Sequence, residues 1–163
     1  MEAISEIVEP THVFDTKTKT TFRTAEADRV TKAFYAAEAA MKQVRKTYAG
    51  AVLASIFFER PELESFFLNL EPYEEYDDNN YYRAIRVTVS DIDLNSGDPD
   101  EAFSESLQEV LEDYAHEFYD TVGEPDSYVE YSFVLERSSI ADLLQSPDGL
   151  VKGSEAIMRL FPT

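Results

Sequence analysis

ESFFLNLEPYEEYDDNNYYRAIRVTVSDIDL, residues 64–94, decides the fold. In its second half Ile85, Val87 and Val89 alternate with Arg86, Thr88 and Ser90. That is the period-two pattern of a strand with one buried face. The first half carries Phe66, Leu68 and Leu70 at the same spacing, although Leu63, Phe66, Phe67 and Leu70 also fit a helix. Between them YEEYDDNN (73–80) is polar, with Asn79-Asn80 in turn chemistry. An antiparallel hairpin with an acidic tip satisfies both halves.

Upstream, residues 1–23 are polar and Thr-rich, with a short strand expected around His12–Asp15 and a hairpin through Lys17–Lys19. An Ala-rich helix begins at Thr24. Its apolar positions Val30, Phe34, Ala37, Met41, Val44 and Tyr48 are spaced 4-3-4-3-4, one stripe on a helix. Asp28 before Lys32 and Glu38 before Lys42 add ion pairs in the favourable order. The stripe is expected to pack on the protein's own sheet; the alternative is a homodimer through Val30–Tyr48, although sustained coiled coils run longer. Gly50 interrupts the pattern. Residues 51–60 (AVLASIFFER) fit a second helix or a buried strand equally, and Pro61 ends either one.

Downstream, Asp98 reads as an N-cap, with Pro99 at the first helical position and Glu101 completing a capping box. Phe103, Leu107, Val110, Leu111, Tyr114 and Phe118 form the stripe of one helix that Gly123 ends. Residues 127–136 read as a strand with Val129, Tyr131, Phe133 and Leu135 on one face. Ser138 is expected to cap a short helix (IADLLQ), Pro147-Asp148-Gly149 to turn, and residues 154–160 to be helical. No internal repeat or linker appears. The expectation is one α+β domain over residues 1–163: an antiparallel sheet of three to five strands, packed by two main helices on one face.

The chain has 163 residues, 14 Lys+Arg, 33 Asp+Glu, two His and no Cys, a formal net charge of −19. A chain of this length buries roughly 70% of its unfolded surface, enough for a real core. With 44% hydrophobic and 13% aromatic residues it is not a disordered acidic tail. No 18-residue apolar run spans a membrane. MEAISEIVEP lacks the basic and apolar regions of a secretory signal, so a cytoplasmic protein is expected, in the host cytoplasm if phage-encoded. Without Cys there is no disulfide, thiolate nucleophile or Cys-ligated zinc. The charge also argues against direct binding to nucleic acid or anionic lipid.

That charge is uneven. Residues 1–60 carry 9 basic and 8 acidic side chains, a net of +1. Residues 61–136 carry 2 basic and 22 acidic, a net of −20, and residues 137–163 carry 3 of each. Solubility asks for a net charge of about 2–8 in magnitude, so one block overshoots it.

Little else points to chemistry. Only His12 and His116 could serve as an imidazole base, and His116 sits among Glu112, Asp113, Glu117 and Asp120 on a helix's solvent face. There is no G-x-S-x-G elbow, P-loop, G-x-G-x-x-G or H-E-x-x-H. Asp91-Ile-Asp93-Leu-Asn95-Ser96-Gly97 resembles the start of a calcium loop, but position six is Ser96 and position twelve, within the Asp91–Asp100 region's continuation, is Ala102. With 33 acids, a carboxylate pair at glycosidase spacing carries no information. No catalytic residue, metal site or cofactor is expected.

The acids themselves are the candidate site. On a helical wheel at 100° per residue, Glu101, Glu105, Glu109, Glu112, Asp113 and Asp120 fall opposite the apolar stripe, with Glu117 at their edge. Residues 98–122 hold no Lys or Arg. Like charges at i,i+4 cost a few tenths of a kcal/mol per pair, so helix stability does not explain them. The hairpin adds Glu71, Glu74, Glu75, Asp77 and Asp78, interleaved with Tyr73, Tyr76, Tyr81 and Tyr82. Tyr76 joins the acids as an expected contact, since Tyr is enriched at interfaces.

At the level of charge alone, this profile is similar to small acidic inhibitors that imitate nucleic acid, such as phage anti-restriction or anti-CRISPR proteins. The expectation is a non-enzymatic binding protein whose acidic surface blocks a basic partner, a nucleic-acid-binding defence enzyme. Other readings are an immunity protein or antitoxin against a basic toxin, a small α+β enzyme or ligand-binding domain, and a dimeric structural subunit.

Overall fold

In the computed structural model, which describes residue 7, residues 9–124 and residues 126–161, paired strands and helices follow one another in an α+β order. A hairpin of β1 (His12–Asp15) and β2 (Thr20–Arg23) precedes the long helix α1 (Ala25–Glu59). The ribbon of β3 (Leu63–Asp77) and β4 (Asn80–Leu94) leads into α2 (Glu101–Glu112), α3 (Ala115–Val122) and β5 (Tyr131–Glu136). A 3-10 turn at Arg137–Ser139, then α4 (Ala141–Leu144) and α5 (Gly153–Leu160), close the order. The stretch read for a secretory signal lies largely outside the described residues. No helix among the described residues is long and apolar enough to cross a membrane.

The chain divides into two compact units, Met1–Gln43 and Val44–Thr163. In the first, β1 and β2 pair antiparallel with Val13 opposite Phe22. The Asp15 carboxylate accepts the amides of Lys17 and Thr18, which sets the turn and holds its pKa below the usual value. Thr24 starts α1: its hydroxyl accepts from the Ala27 amide and donates to the Pro10 carbonyl. Arg23 pairs with Asp28, and Arg29 with Glu26.

The expected packing of the Val30–Tyr48 stripe on the sheet does not occur. Phe34, Met41, Val44 and Tyr48 are 54%, 52%, 59% and 49% exposed. Apart from Ala27 near its start, burial on α1 begins one residue after the stripe, at Ala49. Ala49, Val52, Leu53, Ile56 and Phe57 recur at the spacing of a core-facing helix and are all buried. Residues 51–59 are therefore the end of α1, and they fill the space the stripe was expected to take.

In the second unit the sheet order is β4-β3-β5, antiparallel throughout. Leu68 and Leu70 of β3 pair with Val89 and Val87 of β4, and Phe66 with Leu135 of β5. Leu63 and Phe66 both point inward because the register shifts between Leu63 and Phe67. That irregularity is what gave β3 its helix-like spacing. The ribbon closes on Asp78 (φ 43°) and Asn79 (φ 72°), both left-handed, as a two-residue hairpin turn requires. The turn pair is thus one residue earlier than Asn79-Asn80.

Helix α1 continues through Gly50, where its backbone lies against α5. A β-carbon on Gly50 would overlap the Gly153 carbonyl, and one on Gly153 would overlap the Thr47 carbonyl. Two glycines let the helices meet backbone to backbone. At the end of α1, no basic residue occupies the last turn. Arg137 supplies the missing charge: its guanidinium donates to the carbonyls of Phe57, Arg60 and Leu63, with its carbon 5.6 Å from the Phe57 ring centre. Ser138, expected to cap a helix, sits inside the 3-10 turn, and α4 has no side-chain cap.

Two substitutions test these supports by chemical denaturation. Arg137→Met should cost about 2–4 kcal/mol, because three carbonyls at a helix end lose a charged donor, and Arg137→Lys should restore only part, lacking the planar fork. Gly50→Ala should cost about 1–3 kcal/mol by overpacking, whereas Ala51→Gly, at an exposed position of the same helix, should cost no more than about 1 kcal/mol.

Candidate functional site

The acids belong to the second unit. Residues 1–43 hold 6 basic and 7 acidic side chains, a net of −1, and residues 44–163 hold 8 and 26, a net of −18. Both cations of the 61–136 block are engaged inside the protein. Arg86 pairs with Glu71 at 2.9 Å and lies over the Tyr73 ring. Arg83 donates to the Ser127 carbonyl, lies over the Tyr119 ring and approaches Asp120 at 3.9 Å.

Helix α2 carries the main acidic face. Its N-cap is Asp100, whose carboxylate accepts the Phe103 amide at 2.8 Å, so the expected capping box from Asp98 is displaced by two residues. Leu107 and Leu111 face the core. Gln108 fastens the helix to the outer edge of β4: its amide donates to the Val87 carbonyl and accepts from the Val89 amide. This occupies an edge that would otherwise offer itself to another strand. Glu101, Glu105, Glu109, Glu112 and Asp113 are all exposed. Glu112 accepts from Gln108, and among the described residues no cation pairs with any of the five.

The single helix expected over 98–122 is broken. The Tyr114 amide bonds to the Leu111 carbonyl, and Tyr114 leaves helical geometry (φ −117°, ψ 20°) before α3 begins. On one continuous wheel Tyr119 would lie about 160° from Phe103, among the acids. Instead it is fully buried, and its hydroxyl donates to the Val129 carbonyl at 2.7 Å. Because the break rotates α3, Asp120 departs from the acidic face: it lies 3.7 Å from Arg45 and 3.9 Å from Arg83. Asp120, expected on the contact surface, is thus paired within the second unit, unlike the five acids on and beside α2. Glu71, paired with Arg86, is likewise partly neutralised.

At the ribbon tip Glu74, Glu75, Tyr76, Asp77 and Asp78 are exposed, as expected. Tyr76 and Tyr81 face each other across the strands at 4.9 Å, and the Tyr76 hydroxyl donates to Asn79. Glu75 accepts from Tyr73. Partial desolvation, then the Glu75 carboxylate, raise the phenol pKa of Tyr73. Tyr82 is raised by desolvation and by a hydrogen bond to Glu75. The tip does not lie directly against the acidic face of α2. Val87, where α2 is attached, lies seven residue steps along β4 from Asn80, about 24 Å of strand. The acids form two patches joined by a ribbon.

The buried interior holds little polar chemistry. Among the described residues Thr121 is the only buried polar one, and its hydroxyl donates to the Glu117 carbonyl. No described group of three or more His, Asp or Glu side chains is placed to hold a metal. In the 91–100 region, Leu94 bridges to Gly97 and Asp100 is engaged as the helix cap. His116 is exposed on α3. Sequence reasoning missed Gln108, Arg83 and Tyr119, which orient the acidic elements. Each reaches partners distant in sequence, so no local pattern marks it.

No protein-family model, curated protein or solved structure matches the chain. The fold and the site define a class only by their physics: an α+β chain with a strongly acidic second unit.

The tip offers a direct check. Glu75→Gln should move the Tyr73 and Tyr82 phenol pKa values down toward the ordinary value while leaving the desolvation part, as read by NMR titration. A raised folded pKa gives stability present below the unfolded value, near 10.0, and lost as pH rises through the folded one. The wild-type ribbon should therefore loosen only at strongly alkaline pH, and the variant should lose less on that rise.

Proposed function

We propose that this chain is a non-enzymatic binding protein whose acidic surface imitates a nucleic-acid backbone and blocks a basic, nucleic-acid-binding partner in the cytoplasm, in the manner of a phage anti-defence protein. One observation carries the reading: five exposed carboxylates on and beside α2, with no described cation pairing any of them. Along the helix Glu101, Glu105 and Glu109 are about 6 Å apart in rise, comparable to successive phosphates on a strand. Gln108 and the Asp100 cap fix that face in place, so a partner pays little to order it. The ribbon tip supplies a second acidic patch with exposed tyrosines, the residue type that anchors interfaces. Such a surface gives fast, salt-sensitive association with a basic groove.

A basic toxin would meet the same surface, so the identity of the captured protein separates the anti-defence reading from the antitoxin one. The tagged chain is used to capture partners from host lysate at low and high salt. A basic nucleic-acid enzyme recovered only at low salt is the expected result; recovery of nothing basic overturns the proposal. Against the captured partner, the triple variant Glu105→Lys, Glu109→Lys and Glu112→Lys should weaken binding by about 100-fold or more, chiefly through slower association, with the circular dichroism unchanged. Wild-type affinity in that variant would remove α2 from the interface. Asp120→Asn should instead lower stability more than affinity, since Asp120 pairs with Arg45 and Arg83.

A further inference from the structure

The first unit buries almost none of its own apolar surface. Among its described residues only Ala27 is buried, while Phe34, Tyr35 and Met41 on α1 and Phe14 and Phe22 on the hairpin are exposed. A two-stranded hairpin is marginal in water, and the Ala25–Gln43 part of α1, although continuous with the packed Ala49–Phe57 turns, has almost no core of its own. This unit needs its apolar face covered from outside. We infer that the cover is a second copy of the same chain, laid antiparallel along the Ala25–Gln43 part of α1.

Three features choose that occupant. Val30, Phe34, Ala37 and Met41 recur at 4-3-4, the spacing by which one helix packs on another of its kind. Ala33 and Ala40 flank this seam, and their small side chains permit close approach. A two-fold pair buries the same face on both copies, so one stripe satisfies itself. Charge supplies the third argument. The first unit is nearly neutral at −1, so two copies meet there without strong repulsion, whereas a basic partner is drawn to the second unit at −18.

Charge also sets the orientation. The chain passes into its second unit after Gln43. In a parallel pair both −18 units would follow from the same end of the helix pair. In an antiparallel pair centred between Phe34 and Ala37, the two Gln43 positions are separated along the axis by about 20–25 Å. That is more than twice the Debye length of about 8 Å at physiological salt, so the points at which the two −18 units begin are screened from one another.

The inference is independent of the proposed partner and is tested on the purified full chain. Sedimentation equilibrium across a range of concentrations should show the mass of a dimer. Met41→Glu or Phe34→Glu should give a monomer, with the thermal transition of the second unit retained. Ala39→Glu adds the same charge on the opposite side of α1 and should leave the dimer intact. A wild-type chain that stays monomeric at all concentrations, or loss of the dimer in Ala39→Glu equal to that in Met41→Glu, overturns the proposal. The chain has no native Cys, so a spin label on Gln43→Cys reads the orientation. An interspin distance beyond about 20 Å is expected from the helical rise; a distance well below it overturns the antiparallel arrangement.

Discussion

Everything in the second unit is registered from the point where Arg137 closes the end of α1. A helix leaves its last carbonyls without partners, and α1 ends without a basic residue of its own in the last turn. One guanidinium reaches Phe57, Arg60 and Leu63, and so joins the helix end, the turn after it and the first residue of β3. Because Arg137 directly follows β5, the same contact fixes where the third strand finishes against β3. With that corner set, Leu68 and Leu70 face the helices, and the ribbon's one-residue alternation places every other side chain on the solvent face.

The acidity is organised by a similar economy. Burying charge is costly, and the interior avoids it: among the described residues no Asp or Glu is in the core. The two cations of the acidic block are kept for structural contacts, Arg86 with Glu71 and Arg83 with Asp120. The remaining carboxylates are left facing water on α2 and at the tip. Their mutual repulsion is an expense that the core of the second unit covers. The proposed partner would relieve it.

The break between α2 and α3 shows how packing overrides a helical wheel. On one continuous wheel Leu107, Leu111 and Phe118 share a face and Tyr119 lies away from it, yet all four are fully buried. A continuous helix could not bury Tyr119 with the others. The interruption at Tyr114 lets all four inward, and it carries Asp120 out of the acidic face toward Arg45 and Arg83. The acidic face is shorter for it, and confined to one helix that Gln108 holds in place.

Local pattern alone determined the strands of the ribbon, the first hairpin, the acidic block, and the exposure of Glu101, Glu105, Glu109, Glu112 and Asp113. Alternation and charge are properties of neighbours in sequence, and the backbone expresses them directly. Tertiary structure decided the rest. It made residues 51–59 helical and continuous with α1 across Gly50, where the helix backbone meets that of Gly153. It left Phe34, Met41, Val44 and Tyr48 of the stripe exposed and buried Ala49–Phe57 residues of the same helix instead. It moved Asp120 and Glu71 into ion pairs. These outcomes depend on which distant groups compete for the same space or the same charge, and no window of sequence contains both competitors.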